Sequence, residues 1–283
     1  MSETPITRQL PEEVVYIRPS RGWIHLKLGD LWHYRELIYF LTWRDVKVRY
    51  KQTVLGAGWA ILQPLINMVV LGVIFGRFAD MPTDGIPRPI FTFTALLPWG
   101  LFSKALSDAG RSMLANRSMI TKIYFPRLII PLSSVLGGLV DFMIQLGILL
   151  LMMLFYNYAP TVAVVTLPFF LLLALATALG FGLWLSALNV LYRDVNYILP
   201  FLTQLWLLVT PVAYSSSVVP EKWQWLYALN PMVGVVEGFR WALLDAPPPS
   251  LVTLVISTTI TIVVLITGMY YFRRMERTFA DLV

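Results

Sequence analysis

The stretch WRDVKVRYKQTVLGAGWAILQP, residues 43–64, sets closely spaced cations directly against an apolar segment. Lysine and arginine beside a membrane attract anionic lipid phosphates, and arginine can bind a phosphate through two parallel hydrogen bonds. This pattern favours the binding of an anionic group at a membrane surface. The cations in and just upstream of the stretch are Arg35, Arg44, Lys47, Arg49 and Lys51.

A second candidate for chemistry is a carboxylate inside an apolar segment. Asp141 and Gln145 lie four residues apart, which places them on one face of a helix. A carboxylate within a membrane is costly and marks a functional or packing site. Asp141 could line a cavity or carry a proton, or it could be protonated or hydrogen-bonded to a neighbouring helix. The sequence shows no basic partner for it within the membrane, so this single aspartate is thin evidence for a proton-driven transporter.

Aromatic residues in or near three apolar segments suit contact with sugars. Flat rings stack on the apolar CH faces of sugar rings, and Trp N–H and Tyr O–H groups donate hydrogen bonds. Trp and Tyr at the ends of membrane spans are also common interface anchors, so composition leaves both roles open. The candidates are Trp59, Trp99, Phe102, Trp206 and Tyr214.

Several kinds of chemistry have no support in the sequence. The chain has no cysteine and only two histidines, His25 and His33, both before the first apolar segment. No P-loop, H-E-x-x-H or G-x-S-x-G motif occurs, and no cluster of carboxylates stands out. We therefore expect no metal site, no cofactor in this chain and no ATP-binding site of its own, and an enzyme is the weaker class.

The composition predicts an all-α integral membrane protein. The chain is 57% hydrophobic and 13% charged, with a mean hydropathy of +0.68, whereas soluble domains average about 45–50% apolar and about 25% charged. Helices are expected because a backbone within the bilayer must satisfy its own hydrogen bonds. Six spans are predicted, the second broken by Pro98, at about 54–76, 90–106, 130–155, 162–188, 198–214 and 251–272.

Residues before the first span divide into a tail, 1–29, and a predicted interface helix, 30–52. A helical period of 100° per residue gathers an apolar face opposite Glu36, Arg44, Lys47 and Lys51, as in helices that lie along a membrane surface. A plain helix packed on its own bundle is the alternative. The apolar face comprises Leu31, Tyr34, Leu37, Ile38, Leu41 and Val48.

The distribution of cations predicts the orientation. With six spans both termini share a side, and that side carries 18 of the 22 Lys and Arg residues. The positive-inside rule therefore places both termini, including the tail 276–283, in the cytoplasm. Residues 215–250 are then external, where we expect two short helices, re-entrant at the membrane, the second beginning near Pro231. An aromatic-rich surface loop is the alternative.

Two loops on the cytoplasmic side have the character of docking elements. In NRSMITKIYFPRLIIP, residues 116–131, a short polar segment is followed by aromatic residues and by Pro126, which limits helix extension. In NVLYRDVNYILP, residues 189–200, Arg193 and Asp194 lie between apolar spans. Short polar loops with aromatics suit the transmission of a partner's motion. Ordinary positive-inside loops are the alternative.

Four motifs in order resemble the transmembrane subunit of ABC exporters of cell-surface polysaccharides, the class that exports O-antigen, capsule and teichoic acid. They cover much of residues 30–275: LTWRDVKVRYKQTVLGAGWAILQPL (41–65), NRSMITKIYFPRLIIP (116–131) with VDF (140–142), NVLYRDV (189–195) and LNPMVGVVEGFRWALL (229–244). The resemblance implies a homodimer in the cytoplasmic, or inner, membrane, paired with two nucleotide-binding subunits that hold ATP and Mg. No nucleic-acid partner is expected.

The same resemblance implies roles for individual residues. The loop residues would couple the chain to the ATPases, the cations at 35–51 would hold the headgroup of an undecaprenyl-linked glycan at a gate, and the aromatics would line the glycan channel. The residues assigned to coupling are Asn116, Arg117, Thr121, Lys122, Tyr192, Arg193 and Asp194.

Three rival functions remain at this point. An ABC exporter of a drug or another lipid shares the fold and would favour an aliphatic lateral cavity over an aromatic channel. A membrane-embedded glycosyl- or acyltransferase needs a polar catalytic cluster and would work without an ATPase. A passive channel would conduct without nucleotide.

Overall fold

A computed structural model describes residues 28–51, 58–123, 125–192 and 194–282. Within these ranges the secondary structure is helical and contains no β-strand, which confirms the all-α prediction for this part of the chain. Five helical segments are long and apolar enough to cross a membrane: Gly58–Phe78, Arg88–Ala115, Ile129–Phe155, Val162–Leu191 and Leu251–Glu276. Val195–Val209 is apolar but shorter.

The α-helices follow one another with short connections. A π-helical turn, Ile74–Phe78, extends α3, and a 3₁₀ turn, Val162–Thr166, precedes α7. The α-helices of the described ranges are α1 Leu28–His33, α2 Arg35–Lys51, α3 Gly58–Val73, α4 Arg88–Ala115, α5 Arg117–Ile120, α6 Ile129–Phe155, α7 Leu167–Leu191, α8 Val195–Val209, α9 Glu221–Tyr227, α10 Pro231–Leu244 and α11 Leu251–Leu282.

Helix α4 is longer than the span predicted at 90–106 and continues through Pro98. Proline within a spanning helix is tolerated where neighbouring helices cover the freed carbonyl, and both flanks of Pro98 are buried. Charged residues near the predicted end of the span are paired with each other. Lys104 and Asp108 form an i,i+4 ion pair of 3.5 Å, so charged residues continue the helix to Ala115.

Helix α11 likewise runs past the predicted span at 251–272 and through most of the predicted tail, 276–283. Phe272 and Phe279 are fully buried beside α2, α6 and α7, and their rings meet edge to face at 5.3 Å. Glu276 accepts a hydrogen bond from the backbone N–H of Arg127 at 3.2 Å. Burial and this contact extend the helix. The predicted tail 1–29 lies almost entirely outside the described residues, as does the start of the span predicted at 54–76.

The core forms where α4 packs against α6, α7 and α10, and where α7 packs against α11. Glycines permit the closest of these approaches. A Cβ added at Gly180 of α7 would lie 2.9 Å from the backbone nitrogen of Leu265 on α11, and one at Gly268 would meet the carbonyl oxygen of Gly180. Small residues at helix crossings allow such contact between backbones in membranes.

Gly180→Ala is therefore expected to destabilise the chain. The added methyl group would push two backbones apart, and overpacking of this kind costs about 1–3 kcal/mol. Thermal unfolding in detergent measures the effect. Gly137→Ala is the matched control, because Gly137 is also buried in a helix and its added Cβ would have nothing within 4 Å. Equal melting temperatures for the two variants would contradict the close crossing.

The segment predicted as an interface helix forms α1 and α2. Leu31, Tyr34, Leu37, Ile38 and Leu41 pack on a cluster built from α4, α6, α7 and α11, as the predicted apolar face requires. Val48, predicted on the same face, is exposed instead. The other side of the two helices exposes the aromatic side chains of Trp32, Tyr39, Phe40 and Trp43. One face thus packs on the bundle, and aromatic rings cover the opposite face.

Two short helices occupy residues 215–250, as predicted. Pro231 is the first residue of α10, and the Asn230 side chain caps the helix by accepting a hydrogen bond from the backbone N–H of Met232 at 3.0 Å. Nearly every residue of α10 is buried, against α4, α7 and α11. Helix α10 is therefore packed within the bundle, whereas α9 is mostly exposed.

Candidate functional site

Five side chains from α2, α4 and α6 meet in what we call the charged cluster: Arg49, Tyr50, Lys104, Asp108 and Asp141. Arg49 joins both carboxylates, through Nη1 to Asp141 at 2.6 Å and through Nη2 to Asp108 at 3.1 Å. The Lys104 ammonium lies 3.5 Å from Asp108 and 3.8 Å from Asp141. The hydroxyl of Tyr50 donates a hydrogen bond to Asp141.

The expectation that Asp141 lacks a basic partner is wrong. Arg49 reaches it from a helix 92 residues upstream, a distance that helical spacing within one segment cannot reveal. The second span was predicted to end near 106, which leaves Asp108 beyond it and hides its pairing with Lys104. Their i,i+4 spacing is the signal that could have placed them on a continuing helix.

The charges of the cluster balance, with two cations and two carboxylates. The side chain of Asp141 is only 11% exposed, so its charge needs these partners. Burial raises the pKa of Tyr50 to about 12, and the hydrogen bond to Asp141 adds to the effect. The phenol therefore keeps its proton at neutral pH and remains a donor. The arrangement fastens the end of α2 to α4 and α6, next to the segment that connects α2 with α3.

The other predicted gate cations lie in separate environments. Arg44 donates to Asp45 and, at 2.7 Å, to the side-chain oxygen of Asn116. Arg35 lies over the ring of Trp32 at 5.6 Å. Lys47 and Lys51 are exposed. The structure therefore spreads the predicted set along α2 and brings Arg49, alone among these five cations, into the charged cluster.

The predicted coupling residues occupy two surface segments. Asn116 is buried at the end of α4, where it donates to the carbonyl of Ser112 at 2.9 Å. Arg117, Thr121 and Lys122 are exposed on and just after α5, and Tyr192 and Asp194 are exposed at the turn between α7 and α8. Arg193 lies outside the described residues. Residues 190–196 form the end of α7, a turn and the start of α8, without a separate helix in the described positions.

Three of the predicted channel aromatics join Phe181 in an aromatic cluster, Trp99, Phe102, Phe181 and Trp206. The ring of Phe102 lies 5.4 Å from Trp99 and 4.9 Å from Trp206, and Phe181 lies 4.9 Å from Trp206. Trp99 and Phe102 are buried, so they face protein in this conformation. The indole N–H of Trp206 donates to Asn230 at 2.8 Å, which ties α8 to the start of α10.

The remaining two channel candidates lie apart from this cluster. Trp59 is half exposed at the start of α3. The Tyr214 hydroxyl lies 3.0 Å from that of Tyr227 on α9 and donates to the carbonyl of Leu208 at 3.1 Å. A channel role for all five aromatics stays a prediction.

Arg240 on α10 was counted only as an external cation, yet it is 4% exposed. Its guanidinium donates to the carbonyl of Val212 at 2.9 Å and to that of Tyr214 at 3.3 Å, and it lies 3.5 Å from the ring centre of Phe91. Arg240 therefore holds the turn after α8 against α4 and α10. A lone arginine within the apolar run GFRWALL is the signal that could have indicated this role.

Comparison with known proteins now bears on these sites. A family model described as "ABC-2 type transporter" matches residues 36–244, more than half of the chain. The chain belongs to the ABC-2 type transporter family. The match includes the charged cluster, the exposed loop residues around α5 and Arg240. It confirms the ABC family drawn from the four sequence motifs.

Sequence similarity between this ABC-2 chain and individual relatives extends over most of its length. The O-antigen export system permease protein RfbA of Myxococcus xanthus is 30% identical over 255 residues, which are 89% of this chain and 97% of that protein. A protein of the same name from Klebsiella pneumoniae is 28% identical over 72% of this chain and 79% of its own length. The polysialic acid transport protein KpsM of Escherichia coli is 26% identical, covering 82% and 91%.

Proposed function

We propose that this chain is the transmembrane permease subunit of an ATP-driven ABC exporter of lipid-linked polysaccharide, of the O-antigen or capsule class. The observation that carries the proposal is the near full-length match to the Myxococcus permease, together with the ABC-2 family match. Relatives named for O-antigen export and for polysialic acid transport point to one substrate class, a long glycan.

In the proposed topology six segments cross the cytoplasmic membrane and both termini are cytoplasmic. The sixth segment is α8, whose 15 residues rise only about 22 Å against a hydrocarbon core of about 30 Å. Helices α9 and α10 dip into the outer leaflet beside it. The burial of α10 within the bundle supports this, because re-entrant backbone needs protein around it. The excess of cations on the terminal side supports the orientation.

A homodimer is proposed because α3 and α8 present polar groups on otherwise apolar, uncovered surfaces. Gln63 and Asn67, one turn apart on α3, and Gln204 on α8 are exposed. Amides facing lipid would lack hydrogen-bond partners. We place the second copy opposite these helices, with the glycan passing between the copies along Trp59, Gln63 and Asn67, which share one face of α3.

Two copies of a separate ATPase subunit complete the proposed complex and bind ATP and Mg, since no P-loop occurs in this chain. Exposed Arg117, Thr121 and Lys122 would receive the motion of the ATPase. The bond between Asn116 and Arg44 would carry that motion to α2, which the charged cluster fastens to α4 and α6. The cations of α2 would hold the phosphates of an undecaprenyl-linked glycan at the cytoplasmic leaflet.

Lys122→Glu is expected to uncouple the complex. Lys122 is exposed beside α5, and a reversed charge there should disturb the ATPase contact without disturbing the fold. ATP hydrolysis and glycan export are measured in parallel, and export per ATP should fall at least severalfold. Lys222→Glu, on exposed α9 at the other end of the bundle, is the matched control. Unchanged export per ATP in Lys122→Glu would remove this loop from the coupling path.

Copurification tests the subunit assignment. The chain, expressed together with the proposed P-loop ATPase partner, should form a complex whose ATP hydrolysis rises when lipid-linked glycan is added. The competing function is an exporter of another lipid or a drug. Stimulation by undecaprenyl phosphate lacking a glycan, equal to that of the full glycolipid, would favour this competitor, and absence of any complex would contradict the transport function.

A further inference from the structure

A cavity of about 250 Å³ with both polar and apolar walls lies among the turn at Asp84, the turn after α8, helices α9 and α10, and the start of α11. Drug-sized ligands occupy pockets of about 300–1,000 Å³, so this cavity suits a smaller ligand, about one ring in size. Its lining includes Asp84, Ser217, Gln224, Tyr227, Glu237 and Arg240.

The walls offer both hydrogen-bond donors and acceptors. Asp84 accepts from the hydroxyls of Ser215 at 2.5 Å and Ser217 at 3.3 Å, and a carboxylate has lone pairs left for further donors. The Arg240 guanidinium donates from both terminal nitrogens to backbone carbonyls, while its buried Nε has no hydrogen-bond partner among the described residues. A buried donor of this kind needs an acceptor. A ligand that both donates and accepts hydrogen bonds at neighbouring atoms would fit these walls. A ring that carries several hydroxyl groups is such a ligand.

The charges of the lining argue against an anion and against a metal ion. The carboxylates of Asp84 and Glu237 face one guanidinium, that of Arg240, so a phosphate or a uronic acid would meet an excess of negative charge. Within the described residues no group of three or more His, Cys, Asp and Glu side chains is placed to hold a metal ion. A neutral ligand remains.

We propose that this cavity binds one neutral sugar ring of the glycan as the glycan leaves the transporter. The proposal rests on the proposed function, which places α9 and α10 at the external face. Tyr227 lines the cavity, and its hydroxyl contacts that of Tyr214, the last residue of the span predicted at 198–214. A sugar held there would keep the emerging glycan from sliding back between ATP cycles.

The absence of cysteine from the chain makes a protection experiment direct. A single cysteine is placed in the cavity by Ser217→Cys, and the control is Val218→Cys, the next residue, which is 44% exposed but does not line the cavity. Right-side-out vesicles that contain the full complex are treated with a membrane-impermeant maleimide. The probes are glucose, galactose and mannose, compared with glucuronate, inorganic phosphate and calcium chloride.

A ligand of about a dozen non-hydrogen atoms is expected to bind with a Kd in the millimolar range. At ten times its Kd a neutral sugar should slow labelling of the Ser217→Cys chain about tenfold by mass action, and leave Val218→Cys unchanged. Adding Gln224→Ala, a change at an exposed lining residue, should weaken this protection at least threefold. Because Gln224 is exposed, the double variant should fold normally, and its loss of protection reports on the cavity alone.

Three labelling results would overturn the site: equal labelling with and without every neutral sugar, protection by glucuronate or phosphate alone, and protection by calcium alone.

ATP-driven export, measured in the same vesicles, separates the sugar site from the exporter assignment. Export without sugar protection contradicts the cavity as a sugar site and leaves the exporter assignment standing. Protection without glycan export contradicts the exporter assignment while the site itself stands. Labelling confined to inverted vesicles would contradict the external placement and with it this proposal.

Discussion

Asp141→Ala is expected to have the largest effect on transport of any single change in this chain. It leaves Arg49 and Lys104 with one carboxylate between them and deprives the Tyr50 hydroxyl of its acceptor. Removing one partner of a buried ion pair costs about 3–5 kcal/mol, and the partial exposure of Arg49 places this site near 2–3 kcal/mol. The end of α2 would loosen, and export should fall at least tenfold while hydrolysis by the ATPase continues.

A double-mutant cycle isolates the interaction. Arg49→Ala, Asp141→Ala and the double variant are compared by thermal unfolding in detergent and by export. Because the two side chains lie 2.6 Å apart, the double variant should be less damaged than the sum of the single ones by at least about 1 kcal/mol. Gln145→Ala, one turn further along α6, is the uncharged control. Strict additivity would show that the pair carries no interaction.

Arg240→Ala is expected to cause the largest loss of stability. The change leaves the carbonyls of Val212 and Tyr214 without their donor, removes the cation from the face of Phe91, and enlarges the cavity that Arg240 lines. Lost hydrogen bonds to a charged group, the cation–π contact and the enlarged cavity together predict about 3–4 kcal/mol. Thermal unfolding of the detergent-solubilised chain measures it.

Arg240→Lys separates the charge from the shape of the guanidinium. A lysine keeps the cation but cannot bond both carbonyls while lying flat on the ring of Phe91. It should therefore recover less than half of the lost stability. Lys222→Ala, on the exposed surface of α9, is the control and should melt with the unchanged chain. Full recovery by lysine would show that charge alone matters at this position.

Helix placement was predictable where the pattern was local. The third predicted span, 130–155, matches α6, Ile129–Phe155, because a predominantly apolar run of this length leaves one solution in a membrane. The start of α10 at Pro231 was predictable because proline suits the first turn of a helix and asparagine caps it. Such signals reside within a few residues of chain.

The candidate sites depended on contacts between distant residues, and there the sequence could indicate residue types but not partners. Arg49 was predicted as a headgroup cation, and the structure pairs it with Asp141, 92 residues away. Trp206 was predicted as a channel aromatic, and its indole N–H bonds Asn230 between α8 and α10. The structural role of Arg240 was not predicted, because its burial depends on how α10 packs against α4. Helical periodicity contains no information about which helices become neighbours.

ATP-driven transfer of an undecaprenyl-linked glycan in proteoliposomes tests the central proposal most directly. The chain and its partner ATPase are reconstituted together, and glycan on the far side of the membrane is quantified with and without ATP. The account predicts transfer that requires ATP, both subunits and a glycan-bearing lipid, and that Asp141→Ala reduces while Gln145→Ala does not. Transfer that proceeds equally without ATP, or without the ATPase subunit, would contradict it.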